Sequence, residues 1–381
     1  MSKNASKGKL RTWLTEPLTK EVSRSLHRLV NADDVQRIVV MPDVHLAADV
    51  CVGAVLATSQ LIYPAAVGGD IGCGMAAVRV DGEADLLHGE QAASLLLSAL
   101  YSRVPTNRHS RDTAPHALPT ELGSISLNHP SLDRRKHRDG RVQLGTLGRG
   151  NHFLEFQADQ KGQLWFMVHS GSRAMGQAIT DYHLSQAETG FTGLKYLDSE
   201  TIAGQDYLHD MEWALRYAER NRLCMARTVA RLLHDLFGVE TDWTSLIHGH
   251  HNHVVQEKHL GETLWVHRKG AQSSRRNEAG IIPGSMGTAS FLVSGRGCQS
   301  SLCSSSHGAG RKLSRGKARQ AISTSQLHRQ MRRVRFDHRK ASVLREEAPE
   351  AYKDIYAVMR AQKELTRITA ELKPVLCYKG H

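Results

Sequence analysis

Five short glycine-rich turns, scattered between residues 65 and 311, each carry a side chain able to bind a metal or attack phosphorus. The first, Ala65-Ala66-Val67-Gly68-Gly69-Asp70-Ile71-Gly72-Cys73-Gly74-Met75, closes an apolar run and presents one carboxylate and one thiol. The other four set histidines among small and polar residues: His152 in 148–155, His169 in 168–173, His250 and His251 in 248–253, and His307 in 306–311. Glycine admits positive φ and lets another group come close. To act together these turns must converge from distant parts of the chain. That requirement selects one large mixed α+β unit over a string of small modules.

Asp70, Cys73, His152, His169 and His251 offer one oxygen, one sulfur and three nitrogen donors. A tetrahedral site needs four ligands, so five donors suggest two metals sharing a bridging ligand, a role a thiolate can fill. Paired metals suit phosphoryl transfer, because they clamp both attacking and leaving oxygens. A polar turn with a buried cysteine is the plainer alternative for Asp70 and Cys73. Asp43 and His45 either orient ligands or form a hydrogen-bonded strand end. Around His307, the N–H groups of Gly308, Ala309 and Gly310 can form an anion nest beside Arg311, and a histidine there can attack phosphorus. A glycine-rich loop with an incidental histidine reads the same way. Ile281–Ser290 is a second glycine-rich stretch and lacks the Gly-Lys-Ser/Thr end of a P-loop.

The formal net charge is +12, which favours polyanionic partners, nucleic acid first. Basic residues cluster in 311–340 and again at Arg134, Arg135, Lys136, His137 and Arg138. Neither cluster interleaves aromatics, so phosphate contact is expected rather than base stacking. Six cysteines without CxxC spacing argue against a zinc finger or a disulfide scaffold and point to a reducing, cytoplasmic setting. No membrane span is expected, and Met1–Arg11 lacks a signal-type apolar region.

Apolar patterning predicts strands over 37–41, 61–67, 76–80, 164–168, 264–267 and 289–294. It predicts helices over 83–101, 203–237 with Gly238 as the stop, and 349–372. The stretch 104–141 is expected to be a loop or partly mobile insert.

Taken in order, MPDVH (41–45), PAAVGGDIGCGM (64–75), LGTLGRGNHFLE (144–155), HSGSR (169–173), HHN (250–252), RKGA (268–271), IIPGSMGTAS (281–290), SSHGAGR (305–311) and the terminal Lys379-Gly380 resemble the RtcB family of RNA ligases. The resemblance implies an RtcB-like domain over residues 1–381, two Mn²⁺ ions, and GTP. It implies joining of RNA ends that carry 2′,3′-cyclic phosphate or 3′-phosphate to 5′-hydroxyl ends, in tRNA splicing or RNA repair. By position, Cys73 bridges the metals, Asp70 and His251 complete one site, and His152 and His169 serve the other or are shared. His307 is the nucleophile that carries GMP. Asn151, His152, Phe153, Leu154, Glu155, His251, Pro283, Gly284, Ser285, Met286, Ser290, His307, Gly308, Ala309, Gly310 and Lys379 match nucleotide-binding positions. The implied partners are broken tRNA halves or damaged rRNA or tRNA, with a release-factor-like or archease-type protein, and the protein is expected to be a monomer. Ala47-Ala48, Arg149, Ala174 and a short stretch before Leu144 depart from the family pattern and bear on RNA contacts. A cyclic-phosphate phosphohydrolase and a non-catalytic RNA- or ribosome-binding protein are the rival readings.

Overall fold

The computed structural model describes residues 9–380. Met1–Gly8, most of the basic N-terminal stretch, and His381 lie outside the described residues. Twelve strands carry the architecture: β1 (Leu10–Thr12), β2 (Val35–His45), β3 (Val52–Thr58), β4 (Gly74–Glu83), β5 (Phe153–Ala158), β6 (Gln163–Ser170), β7 (Thr241–His250), β8 (Asn252–His259), β9 (Glu262–Lys269), β10 (Ala279–Ile282), β11 (Ser290–Gly295) and β12 (Thr366–Lys379). They form a five-stranded sheet, β1-β2-β3-β9-β8, and a seven-stranded sheet, β7-β4-β6-β5-β12-β11-β10.

Every neighbouring pair in the larger sheet is antiparallel. Alternating direction brings the ends of β7, β6, β12 and β10 to the same rim as the starts of β4, β5 and β11. The register is explicit: His250 faces Gly74, Gly74 faces Ser170, His169 faces Phe153, and Phe153 faces Lys379. Turns distant in sequence therefore meet because a sheet of this topology has one rim on which they can lie. Only His251 separates β7 from β8, so the chain passes from one sheet to the other through a candidate ligand. Its N–H donates to the Cys73 carbonyl at 2.8 Å.

One face of the larger sheet packs Val78, Val80, Leu154, Phe156, Phe166 and Leu376 against the helix Glu90–Arg103 and the later turns of the helix Ile202–Phe237. Each fully buried Val, Leu or Phe there contributes roughly 1.5–3 kcal/mol. The 36-residue helix starts at Thr201, whose hydroxyl accepts from the Gly204 N–H, and stops at Gly238, which takes φ of 68°.

Several expectations need revision. The helical reading of 349–372 fails beyond Ala361: the helix there is Ile355–Ala361, and Thr366 opens β12, an inner strand between β5 and β11. β-branched Thr366, Ile368 and Thr369 suit a strand, and Pro374 is tolerated where the register shifts. Strand β4 runs through Glu83, so the helix expected from 83 begins at Glu90. The predicted strand 61–67 covers only Leu61–Ile62, and Pro64 then opens a 3₁₀ turn. The stretch 104–141 is not a bare loop. It holds the short helices Thr120–Gly123 and Pro130–Arg135, pinned by buried Leu118, Leu122, Leu127 and Leu132.

Candidate metal centre and nucleotide cavity

The turn 68–73 ends with the Cys73 N–H on the Asp70 carbonyl (3.1 Å), so carboxylate and thiol share one loop. A Cβ at Gly171 would lie 2.2 Å from Asp70 Oδ1, so a side chain at that position would displace the carboxylate. The donors fall into two groups that share Cys73: Asp70, Cys73 and His152, and Cys73, His169 and His251. The pairing differs from the expected one, since Asp70 sits with His152 and not with His251. Within the groups, Asp70 Oδ2 to His152 Nε2 is 2.8 Å, Cys73 Sγ to His152 Nε2 is 3.5 Å, and Cys73 Sγ to His169 Nε2 is 3.2 Å.

The residues fit a bound cation. His169 Nδ1 faces the Asn151 carbonyl at 3.2 Å, and a carbonyl only accepts, so Nδ1 carries the ring proton. The Nε2 lone pair then points at Cys73 Sγ and, at 3.2 Å, at His251 Nε2. Donor separations near 3.2 Å approach the edge of a tetrahedron, about 3.4 Å for bonds of about 2.1 Å. Burial holds both His169 and His251 well below the usual histidine range, helped by neighbouring imidazoles, so both are neutral as ligands must be. Burial alone would raise the Asp70 carboxyl, but the charge and hydrogen bond of His152 bring it down to about 2. Burial and the Asp70 carboxylate push the Cys73 thiol well up, an effect a cation would reverse.

A cavity of about 560 Å³ opens over this centre. Asn151, Phe153, Glu155, Pro283–Met286, Ser290, His307–Gly310 and Lys379 line it, with Asp70, Cys73, His169 and His251 at its floor. Leu154 does not: strand alternation turns it into the core on the opposite face, at 0% exposure. His152 sits behind the floor against Asp70.

His307 leaves the short strand Ser304–Ser306, which pairs with Ala271–Ser273. Its Nδ1 lies 2.7 Å from Oδ2 of buried Asp43, which also accepts from the His307 N–H at 3.2 Å. The Asp43 carboxylate accepts only, so Nδ1 donates and Nε2 presents its lone pair. The His307 ring is 4.7 Å from that of His251. Of the two readings of Asp43, the contact is to His307 rather than to a metal donor. The anion nest needs correction: the Ala309 N–H is spent on the Pro283 carbonyl at 2.9 Å. Arg311 is not a free phosphate fork either, since it binds Glu347 (3.0 Å), Tyr352 (3.2 Å) and the Leu313 carbonyl (3.0 Å).

Glu155 is fully buried at the cavity wall, and burial pushes its carboxyl up to about 8 although Lys379 opposes this. Lys379 Nζ lies 3.0 Å from Glu347, which also takes Arg311 and Arg315. Burial would raise Glu347, yet Lys379 and Arg311 hold it at about 2. Beside Ala47 and Ala48, half-buried Lys269 donates to the Ala65 carbonyl at 3.0 Å, and desolvation pulls its ammonium down to about 8.

The family profile described as tRNA-splicing ligase RtcB matches residues 26–125 and 116–380. The chain belongs to the RtcB family. It is 39% identical to the RNA-splicing ligase RtcB of Escherichia coli K12, over 91% of this chain and 90% of that one. It is 31% identical to RtcB2 of Escherichia coli ATCC 25922, covering 94% and 91%. It is 30% identical to the tRNA-splicing ligase RtcB of Nanoarchaeum equitans, covering 91% and 88%. Among the described residues, no helix is long and apolar enough to cross a membrane.

Arg222 and Glu347 escaped the sequence reading. Arg222 is wholly buried in the long helix, where its guanidinium donates to the Gly72 and Ser170 carbonyls (both 2.7 Å), His248 Nε2 (3.0 Å) and His250 Nδ1 (2.9 Å). Those carbonyls adjoin Cys73 and His169, so Arg222 ties the two ligand-bearing turns together. The available signal was polar Asn221-Arg222 at buried positions of an otherwise apolar stripe. In the Arg134–Arg138 cluster, Lys136 is buried on Asp133 and Arg135 and Arg138 both bind Asp139, while Arg134, His137 and Arg138 are exposed. The 311–340 run leaves Arg319, Arg329, Arg332 and Arg333 exposed.

Proposed function

We propose that this chain is an RNA ligase, joining 2′,3′-cyclic phosphate or 3′-phosphate ends to 5′-hydroxyl ends through a His307–GMP intermediate, with GTP and two Mn²⁺ ions. The observation that carries the reading is the Asp43–His307 pair facing one cavity with both donor groups. A phosphohydrolase needs the donors alone and has no use for a second, carboxylate-oriented histidine. Asp70, Cys73 and His152 would hold one cation, and Cys73, His169 and His251 the other. The cations, when bound, neutralise phosphate oxygens and activate the attacking oxygen.

In this reading Nε2 of His307 forms a P–N bond at the α-phosphorus of GTP as the bond to pyrophosphate breaks. The Nδ1 proton stays on its hydrogen bond to Asp43, whose carboxylate balances the ring cation. A 3′-phosphate oxygen of RNA then takes the guanylyl group, and the P–N bond breaks. The 5′-hydroxyl oxygen finally attacks that RNA phosphate and GMP leaves. Asn151, Phe153, Glu155, Pro283–Met286, Ser290, the loop from His307 to Gly310, and Lys379 would hold the nucleotide. The test is joining of a 2′,3′-cyclic-phosphate RNA to a 5′-hydroxyl RNA in Mn²⁺, with and without GTP. GTP-dependent joining is expected. Cyclic-phosphate opening with no joined product would favour the hydrolase.

A further inference from the structure

Trp243 is 40% exposed at the start of β7, beside the exposed face of the long helix. It shares a groove with Arg227, Ala230, Arg231, His234 and Leu246. Arg227 and Arg231 are exposed, one helical turn apart, and form no ion pair or hydrogen bond among the described residues. Of the nearby acids, Glu240 lies on the groove wall itself and pairs with His234 at 2.9 Å, Asp242 pairs with Arg79 at 2.6 Å, and Asp235 is exposed. An adjoining groove shares Arg227 and Arg231, adds Arg103 and Arg220, and reaches Gly145. Of these, Arg220 alone forms an ion pair among the described residues, with Glu121 at 3.5 Å. Gly145 precedes Thr146, whose hydroxyl accepts from Arg173 at 3.2 Å close to the metal centre.

We propose that this groove binds single-stranded RNA, with a base stacked on Trp243 and phosphates on Arg227 and Arg231. The occupant follows from the chemistry. An indole face beside unpaired guanidinium groups suits a base and its phosphates, and stacking tolerates any base. His250 at the metal rim lies seven positions along β7 from Trp243, roughly 20 Å. The groove lies on the helix side of the larger sheet, so a strand held there would pass around the β7 edge to reach the cavity on the other face. This rests on the ligase reading for its substrate. The sequence expected no stacking platform, because the indole and the cations are neighbours only in the folded chain.

The experiment is fluorescence anisotropy of a labelled single-stranded RNA across a salt series, on the wild type, Trp243→Ala, Trp243→Tyr and the double variant Arg227→Gln/Arg231→Gln. A covalent GMP adduct is measured on each protein. Trp243→Ala should weaken binding at least about fivefold, and Trp243→Tyr should retain it. The double variant should lower the salt slope by about 1.4, about 0.7 per lost contact. Adduct formation and binding of a dinucleotide 3′-phosphate should not change. Wild-type affinity and slope in all variants would overturn the proposal. So would loss in the double variant alone with Trp243→Ala unaffected, which would leave phosphate contact on the arginines and no base stacked on Trp243. If no protein forms the adduct yet the groove variants still lose RNA, the ligase reading falls and the groove stands.

Discussion

Replacing Arg222 with methionine should damage the metal centre without touching it. The guanidinium is completely buried and satisfies two carbonyl oxygens and two imidazole nitrogens. Methionine fills similar volume but donates nothing, leaving two buried carbonyls and two part-buried imidazole nitrogens without a partner. Each orphan costs about 1–3 kcal/mol, or roughly 4–12 kcal/mol if none finds water. Relief from burying the charge returns several kcal/mol, since burial already pulls this guanidinium down to about 10. With water reaching the two part-buried imidazoles, a net loss of about 1–3 kcal/mol follows. The freed Gly72 and Ser170 carbonyls should also loosen the turns carrying Cys73 and His169. Urea unfolding measures the first effect and metal analysis of the dialysed protein the second. Arg231→Met, on the exposed face of the same helix, is the control and should cost under about 0.5 kcal/mol. A loss below about 1 kcal/mol in Arg222→Met, with full metal content, would show that the guanidinium is not what holds these turns.

Cys73→Ala should reduce metal content well below wild type, because the thiolate belongs to both donor groups; two metals retained would remove its bridging role. Burial raises the Glu155 carboxyl to about 8, above the ordinary 4.5, so it favours folding fully below about pH 4.5 and loses that contribution as pH rises through 8. Unfolding across pH 5–9 should therefore show stability falling in the ligand-free protein and a flatter profile in Glu155→Gln, and identical profiles would refute the assignment. Gly310 has φ of 74°, and a Cβ there would lie 2.1 Å from the Asp43 carbonyl oxygen, so Gly310→Ala should cost about 1–3 kcal/mol and disturb the Asp43–His307 pair. Unchanged melting and adduct formation would contradict that.

What the sequence revealed and what it hid have separate physical causes. The ligand turns were readable because metal and phosphate chemistry needs particular atoms on small-residue backbones, and such spelling is local. Their convergence followed from chemistry, but its means, the single rim of an antiparallel sheet, is a matter of pairing that no local pattern carries. The strand β12 was lost to a helical reading because helical periodicity near Ile355–Ala361 was carried past its end into Thr366. The long helix was found, but apolarity is a poor guide to its inner face: Leu208, Leu215 and Leu223 are only partly buried, while Asn221 and Arg222 lie inside. Buried polar residues are invisible to a search for apolar stripes, and Arg222 and Glu347 were missed for that reason.

The central claim is that His307, oriented by Asp43, carries the guanylyl group. Incubating the protein with GTP labelled at the α-phosphate and Mn²⁺, then digesting and mapping the label, tests it most directly. The account predicts an acid-labile label on the peptide containing His307, absent from His307→Ala while that variant keeps its metals. A label that persists in His307→Ala, or maps to another histidine, would contradict it.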